Sequence, residues 1–452
     1  MSKFRAIIVG GAIAGQTLAL AFEEANIDYV LLESQSQFAP QLGASVGLWP
    51  NGLRILDQLG IFEEIEAIAE PLSAGYYRRP DGTAFCKSQL FTDVAKRHGY
   101  GLTFFQRQHL LQIMYNGQRH PEKLLANKVV DKIEETVDRV TVTTKDGSVY
   151  EGDIVIGADG VRSVVRQHIW DEMNKLENPP KEFLEDKKAI FAEYTCVFGI
   201  SENISQLEVG FTHLCYGPSR SFLVAIGKDH IAYWFLFEKM KERYQLSDIP
   251  RFTEKDAIEA GEKYSDVPIS ENTKFQDLWD KKGSAVKVAM EEGLVKKWHH
   301  GRCIALGDAV HKYTANFGMG ANTAICSAAV LANMLHDALK TNPNGLSMQD
   351  IDKTFEEVTA SRQSTVQEVF VGAGATTRLE AQDGLMNHMM GRYILPILYG
   401  EAWKLEAISE LMRKSPILTY LDKPTRPHEM PYYDEDEKKK TPDAGWFSWL
   451  GF

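Results

Sequence analysis

FRAIIVGGAIAGQTLALAFEEANIDYVLLE, residues 4–33, is the stretch whose reading decides the fold. FRAIIV at 4–9 is apolar and β-branched, and it runs at once into glycines. AGQTLALAFEEA at 14–25 repeats apolar positions at helical spacing, and DYVLLE at 28–33 reads as a second strand. Strand, glycine turn, helix and strand within about 30 residues predict a βαβ unit. The turn is Gly10-Gly11-Ala12-Ile13-Ala14-Gly15. Gly10 permits the tight bend, Gly15 lets helix and strand approach, and the helix N-terminus offers free N–H groups to a pyrophosphate. Glu33, 23 residues after Gly10, is placed to accept from a ribose hydroxyl, and its charge would repel a 2′-phosphate. Ala12 replaces the second glycine of the full fingerprint, narrowing the approach to the phosphates without closing it. Alone, the motif means either dinucleotide binding or an ordinary strand-to-helix turn.

The 452 residues suffice for two structural units, or one large domain with an inserted lobe. Hydrophobic residues at 44% and charged residues at 25% are ordinary globular usage. A net charge of -12 argues against nucleic acid as the main partner, since phosphates must be met by excess Lys and Arg. Five dispersed cysteines form no C-x-x-C pair and no zinc-type spacing, so a reducing compartment and no metal are expected. MSKFRAIIVGG shows no cleavable apolar region, and no run of about 18 apolar residues occurs. The expectation is a soluble, cytoplasmic protein.

Further along, an amphipathic helix is read over 51–59, and strands at 138–144 and 148–151 flank a hairpin turn at Asp146-Gly147. DIVIG at 153–157 and RCIALG at 302–307 read as strands, and 320–340 as a long apolar helix. Between about 187 and 237 the segments IFAEYTCVFGI, SFLVAI and IAYWFLFE predict a sheet-rich inserted lobe. From about 350 the chain is expected to be helical, broken at Gly372, Gly374, Gly391 and Pro396. The tail after Pro424, with PYYDEDEKKKTPD, reads as solvated or loosely packed. There is no internal repeat.

Two further motifs follow strands: Gly157-Ala158-Asp159-Gly160-Val161-Arg162-Ser163, and Gly307-Asp308-Ala309-Val310-His311 with Gly318-Met319-Gly320-Ala321-Asn322 after it. A carboxylate at a strand end can bind sugar-type hydroxyls, and a glycine turn opening a helix can present N–H groups to an anionic oxygen. Singly, Asp159 could be a turn residue, Asp308 a helix cap, and Gly318 and Gly320 a flexible loop.

The set, in this order, resembles the class A flavoprotein monooxygenases, whose fold is like that of para-hydroxybenzoate hydroxylase. Within that class it resembles the fungal secondary-metabolism branch that includes the paxilline-pathway epoxidases. GADGVRSVVR at 157–166 meets the family pattern GADG-x-x-S-x-x-R, and GDAVH at 307–311 meets GDA-x-H, with looser support from Thr377-Arg378-Leu379-Glu380-Ala381. The resemblance implies an α/β fold: a Rossmann-like FAD-binding domain of the GR2 type, an inserted sheet-rich substrate lobe and a helical C-terminal region. It divides the chain into FAD-binding segments 1–75, 101–185 and 286–345, lobe segments 76–100 and 186–285, a helical region 346–425 and a charged, aromatic tail 426–452.

Carried over by position, the resemblance assigns Gly10, Gly11, Ala12, Ala14, Gly15 and Glu33 to the ADP half of a non-covalent FAD. Arg107 would lie near the pyrophosphate or ribityl chain, Asp159 in a motif touching FAD and transient NAD(P)H, and Asp308 at the ribityl hydroxyls or pyrophosphate. The N–H groups of Gly320, Ala321 and Asn322 would face the N1–C2=O edge of the flavin, by oxyanion-hole logic. Ala315, Gly318 and Gly320 would lie beside the ring. Ala315 stands where the family commonly has proline, Met319 where it has glutamine, and Cys326-Ser327 where it has acidic residues. These departures bear on oxygen transfer more than on FAD binding.

The implied reaction is epoxidation or hydroxylation of a prenylated or polycyclic natural product, using NAD(P)H, O2 and a flavin C4a-hydroperoxide. Substrate would lie over the sheet lobe, where Phe191, Tyr194, Phe198, Phe211, Tyr216, Phe222, Tyr233, Trp234 and Phe235 crowd; singly each is read as core, and as a group they fit an apolar pocket. His311 and Lys312 lie beside the third motif as candidates for proton or substrate contact, or for a structural role. WFSWLGF at 446–452, after three lysines, is a candidate for weak membrane-surface contact, against docking on the protein itself or disorder. Two rival functions share the fold: an FAD-dependent reductase or oxidase without oxygen transfer, and a prenyl carrier like the GDP-dissociation inhibitors, which should be colourless.

Overall fold

A computed structural model describes residues 4–40, 45–394 and 401–436. The βαβ unit forms as read: β1 (Arg5–Val9), α1 (Ile13–Glu24) and β2 (Asp28–Leu32), with β1 and β2 parallel. β1 is central in a six-stranded sheet ordered His299–His300, Cys303–Ala305, Ile154–Gly157, β1, β2, Leu124–Leu125. All neighbours are parallel except the short first pair. The helix Gly320–Thr341 packs on α1, so the strands are covered and their sequences are unbroken apolar runs.

The expected hairpin is present: Val140–Thr144 pairs with Val149–Gly152, and Val130–Glu135 completes a three-stranded meander. Asp146 accepts from the Ser148 N–H at 3.1 Å, and Gly147 takes φ +83°. The predicted helix over 51–59 is Pro50–Gln58.

The lobe is an eight-stranded sheet, larger than its predicted core. Its order is His311–Lys312, Lys282–Leu294, Phe191–Ser201, Ala232–Gln245, Arg220–Ile226, Phe211–Gly217, Ala74–Arg78, Ala84–Ser88. Side chains alternate between its faces. Tyr233, Phe235 and Phe237 join the core shared with the six-stranded sheet. Trp234 and Leu236 point the other way, with Phe222 and Val224, into a separate core closed by the helices Glu254–Lys263 and Phe275–Trp279.

Two expectations about the C-terminal part are corrected. Gly372 and Gly374 do not break the helix, which runs unbroken from Met348 to Glu380. A glycine costs a helix about 1 kcal/mol, and packing of Val366, Val369 and Ala373 into the core outweighs it. A Cβ on Gly374 would lie 3.1 Å from the Arg378 guanidinium, so its absence leaves room for the Arg378–Glu292 ion pair. The break falls later, at Gln382 (φ 48°) and Gly384 (φ +77°). Gly391 lies within a π-helical turn, Met390–Ile394, while Pro396 is outside the described residues.

The segment after Pro424 is not loose, as far as Asp436. Tyr432 is 1% exposed and donates to the His98 carbonyl at 2.8 Å. Arg54, equally buried, lies over the Tyr432 ring and pairs with Asp434 and Glu435. A buried guanidinium must find counter-charge, and the acidic tail supplies it. WFSWLGF lies outside the described residues. Among the described residues no helix is long and apolar enough to cross a membrane.

Candidate functional site

The three motifs meet at one cavity of about 650 Å³, at the C-terminal ends of the strands of the six-stranded sheet. Gly10 bends the chain after β1 with φ +103°; a Cβ there would lie 2.4 Å from the Ala158 carbonyl oxygen, so the first two motif loops touch. A Cβ on Gly15 would lie 1.9 Å from the Gly10 oxygen, which forces glycine where α1 crosses the turn. Ala12 has φ -83°, an ordinary conformation for a residue with a side chain.

Gly10, Ala12, Ala14 and Glu33 line the cavity, as do Arg107, Asp159 and Asp308. Ala315, Gly318, Gly320 and Ala321 form another part of its wall. Gly11 and Gly15 lie behind it. Asn322 is also behind the wall, fully buried: its Nδ2 donates to the Gly47 and Gly318 carbonyls at 3.0 and 2.9 Å, and its Oδ1 accepts from the Trp49 N–H at 2.9 Å. Its side chain therefore ties the glycine loop to the strand Ser45–Leu48.

Two helix N-termini open on this space, α1 and Gly320–Thr341, and neither has a side-chain cap or an acidic residue in its first turn. Their first N–H groups lack intrahelical acceptors and suit anionic oxygens. Arg107 and Arg162 also reach the cavity, and neither makes a hydrogen bond or ion pair among the described residues. Burial pulls the Arg107 guanidinium down, while Asp308 and Glu33 act against this. Free N–H groups and unpaired cations to donate, with the carboxylates Glu33 and Asp308 on the wall to accept, are the groups a dinucleotide with a pyrophosphate requires, so the residues fit FAD.

The carboxylates differ in how far the protein already uses them. Glu33 accepts from the Gly11 N–H at 2.6 Å and the Gln35 N–H at 2.7 Å. Asp159 Oδ2 accepts from the Val164 and Val165 N–H groups at 2.7 and 3.1 Å, capping the helix Val164–Asn174. Burial pushes the Asp159 carboxyl up, against hydrogen bonds that pull it down. Asp308 pairs with Lys312 at 2.5 Å. Burial lowers the Lys312 ammonium, but Asp308 outweighs this and holds it above its usual value.

His311 is not at the cavity. It is fully buried beside Trp298 and Tyr313, its Nε2 3.1 Å from Ser327 Oγ, and burial holds it down to about 3. It is a neutral core residue, whereas Lys312 is on the wall. The aromatic crowd also divides: of the nine, Phe235 lines this cavity and Tyr216 a second one of about 340 Å³, while Phe222 and Trp234 face the opposite core. Strand alternation is the reason: neighbours in one apolar run point to opposite faces.

Sequence reading missed part of the wall. Ser45, Val46, Gly47, Phe104, Lys128 and Val129 carry no motif; the first four arrive from the strands Ser45–Leu48 and Thr103–Gln106, and Lys128 and Val129 from the loop before Val130–Glu135. Arg162 was visible within GADGVRS. Away from the cavity, Glu135, His168 and Cys303 bring ligand atoms within 4.8 Å of one another. The Glu135 carboxylate there is already engaged by His168 and the Arg302 N–H.

A family model described as FAD binding domain matches residues 3–181 and 222–350. The FAD-dependent monooxygenase spyC of Aspergillus fumigatus is 39% identical over 94% of this chain and 89% of its own length. The FAD-dependent monooxygenase ausM of Penicillium brasilianum is 36% identical over the same shares. The chain belongs to the FAD-dependent monooxygenase family. This monooxygenase takes FAD as its cofactor, and its co-reactants are O2, reduced nicotinamide and a small-molecule substrate. In fold it is similar to HpxO of Klebsiella pneumoniae complexed with FAD, with TM-score 0.74 at 20% identity, covering 91% of this chain and 99% of that one. The p-nitrophenol 4-monooxygenase PnpA of Pseudomonas putida gives TM-score 0.71 at 19% identity, over 92% and 98%.

Proposed function

We propose that this monooxygenase hydroxylates or epoxidises a hydrophobic natural-product intermediate, prenylated or polycyclic, in fungal secondary metabolism. The observation that carries the reading is the make-up of the cavity where the three motifs meet. Its lining joins helix N-termini and arginines to the apolar side chains Val46, Phe104, Phe235 and Met319. The fungal relatives, named FAD-dependent monooxygenases, support the oxygenase chemistry and the fungal setting.

In this reading α1 and Arg107 hold the pyrophosphate, Glu33 and Asp308 take sugar-type hydroxyls, and Gly320 and Ala321 present N–H groups to the carbonyl edge of the flavin. Bound FAD supplies hydride acceptance from nicotinamide and activation of O2. The protein's part is to position, to exclude water and to keep charge where the ring needs it. Ala315 is exposed on the wall, and its carbonyl accepts from the Gly318 N–H at 3.0 Å, which fixes the turn beside the ring. Ala315 in place of proline therefore still leaves a shaped loop. The boundaries 1–75, 101–185 and 286–345 for FAD binding, 76–100 and 186–285 for the lobe, remain part of the same reading.

The test is the visible spectrum of purified protein, then NADPH addition, then turnover of candidate polycyclic or prenylated substrates under isotopically labelled O2. One labelled oxygen atom in the product supports the reading. Flavin that reduces and reoxidises while every product lacks label favours the reductase or oxidase.

A further inference from the structure

We propose that Glu380 is a positioning residue of the monooxygenase, holding the 313–319 loop in place through Asn316. This rests on reading that loop as the flavin's neighbour.

The loop is clamped at both ends. At its far end Asn322 donates to the Gly318 carbonyl at 2.9 Å. At its near end the last turn of the helix Met348–Glu380 grips it. Thr377 Oγ1 lies 2.8 Å from Thr314 Oγ1 and 2.9 Å from Asn316 Oδ1, and Asn316 Nδ2 donates to Glu380 Oε2 at 2.6 Å. Between the clamps Ala315 faces the cavity. The Thr377–Ala381 segment thus meets the site through this loop, while Arg378 anchors the same turn to Glu193 and Glu292 of the eight-stranded sheet.

Glu380 is 3% exposed and makes no ion pair among the described residues. A buried carboxylate without a paired cation is costly, so the neutral acid is favoured. Burial raises its pKa to about 7, opposed by Asn316, Lys404 and Ser221. The other groups facing it are Lys404 from the helix Glu401–Arg413 and Tyr216 and Cys215 from the strand Phe211–Gly217. Burial keeps Tyr216 and Cys215 neutral near pH 7. Because the folded value lies above the unfolded 4.5, stability from this group is complete at low pH. It declines as pH rises from the unfolded value towards 7 and levels off above. Ionisation puts a charge beneath the loop, and loop geometry beside a reacting centre is where small displacements cost most.

The experiment measures FAD binding to apoprotein by flavin fluorescence from pH 5.5 to 8.5. Thermal stability and NADPH oxidation kinetics are followed on the same proteins. Wild type should bind FAD severalfold less tightly at the alkaline end. Glu380→Gln, which keeps the acceptor for Asn316 and cannot ionise, should hold the acid-side affinity throughout and lose the stability slope between about pH 5 and 7. Glu380→Ala and Asn316→Ala should bind FAD about tenfold more weakly at every pH, with kcat for NADPH oxidation falling more than KM. If Glu380→Ala fails to fold, Glu380→Gln and Asn316→Ala carry the comparison. Alanine variants with the wild-type affinity and pH profile, or Glu380→Gln indistinguishable from Asn316→Ala, would overturn the proposal. Wild-type apoprotein that takes up no FAD would overturn the reading of the cavity first, and this proposal with it.

Discussion

In the six-stranded sheet Ile7 and Ile8 are neighbours and both fully buried, whereas in the eight-stranded sheet the neighbours Trp234 and Phe235 belong to different surroundings. The parallel sheet is covered on both faces, so the direction of a side chain matters little and the chemistry gathers at the strand ends. The eight-stranded sheet, antiparallel except where Phe211–Gly217 meets Ala74–Arg78, uses its faces differently. One closes a private core under two helices, and the other meets the cavity through Phe235. A run of aromatic residues is therefore half scaffold and half wall, divided by register.

The largest break in this comparison should come from Gly15→Val at the strand-end turn. Its Cβ has only 1.9 Å to the Gly10 oxygen. The expected result is protein that purifies without flavin, if it folds, with a loss of more than about 3 kcal/mol in chemical denaturation. Next, Trp234→Ala should cost about 3–5 kcal/mol, while the folded fraction retains wild-type FAD affinity. Phe235→Ala, one residue on, should instead raise KM for an apolar substrate more than it lowers stability. If both variants lose stability equally and neither affects substrate, the division of the faces is wrong.

Arg107→Met should weaken FAD binding by about 1.5–3 kcal/mol, the worth of a charged hydrogen bond. Stability of the apoprotein should stay unchanged or rise, because the guanidinium has no protein partner to lose. The smallest effect comes from buried histidines. Burial holds His98, at the end of the helix Leu90–His98, and His213 and His311, both on the eight-stranded sheet, down to about 3. Folded values below the unfolded 6.5 mean stability is present above that pH and is lost as pH falls towards 3. The slope is about 1.4 kcal/mol per pH unit for each histidine at most. His98→Leu should flatten this acid limb in denaturant titrations; an unchanged slope would show that His98 does not contribute.

Much of the site was legible because its determinants are local. Gly10, Gly15, Glu33, Asp159 and Asp308 each sit within a few residues of a strand end, so strand, turn and helix signals locate them together. Glycine at 372 and 374 misled for the opposite reason: helix breaking is a local tendency, and the core that overrides it comes from residues distant in sequence. The acidic tail misled likewise, since Arg54, its partner, is 380 residues away.

By itself the sequence determined the βαβ unit, the order of the three motifs and the family, because short-range backbone and hydrogen-bonding requirements select those residue types. Only the tertiary structure decided that Asn322 and His311 turn away from the cavity, that Arg107 and Arg162 reach it unpaired, and that Phe235 rather than Trp234 forms its wall. Those outcomes depend on which face is covered and which charges find partners across the fold, and neither is written in the spacing of nearby residues.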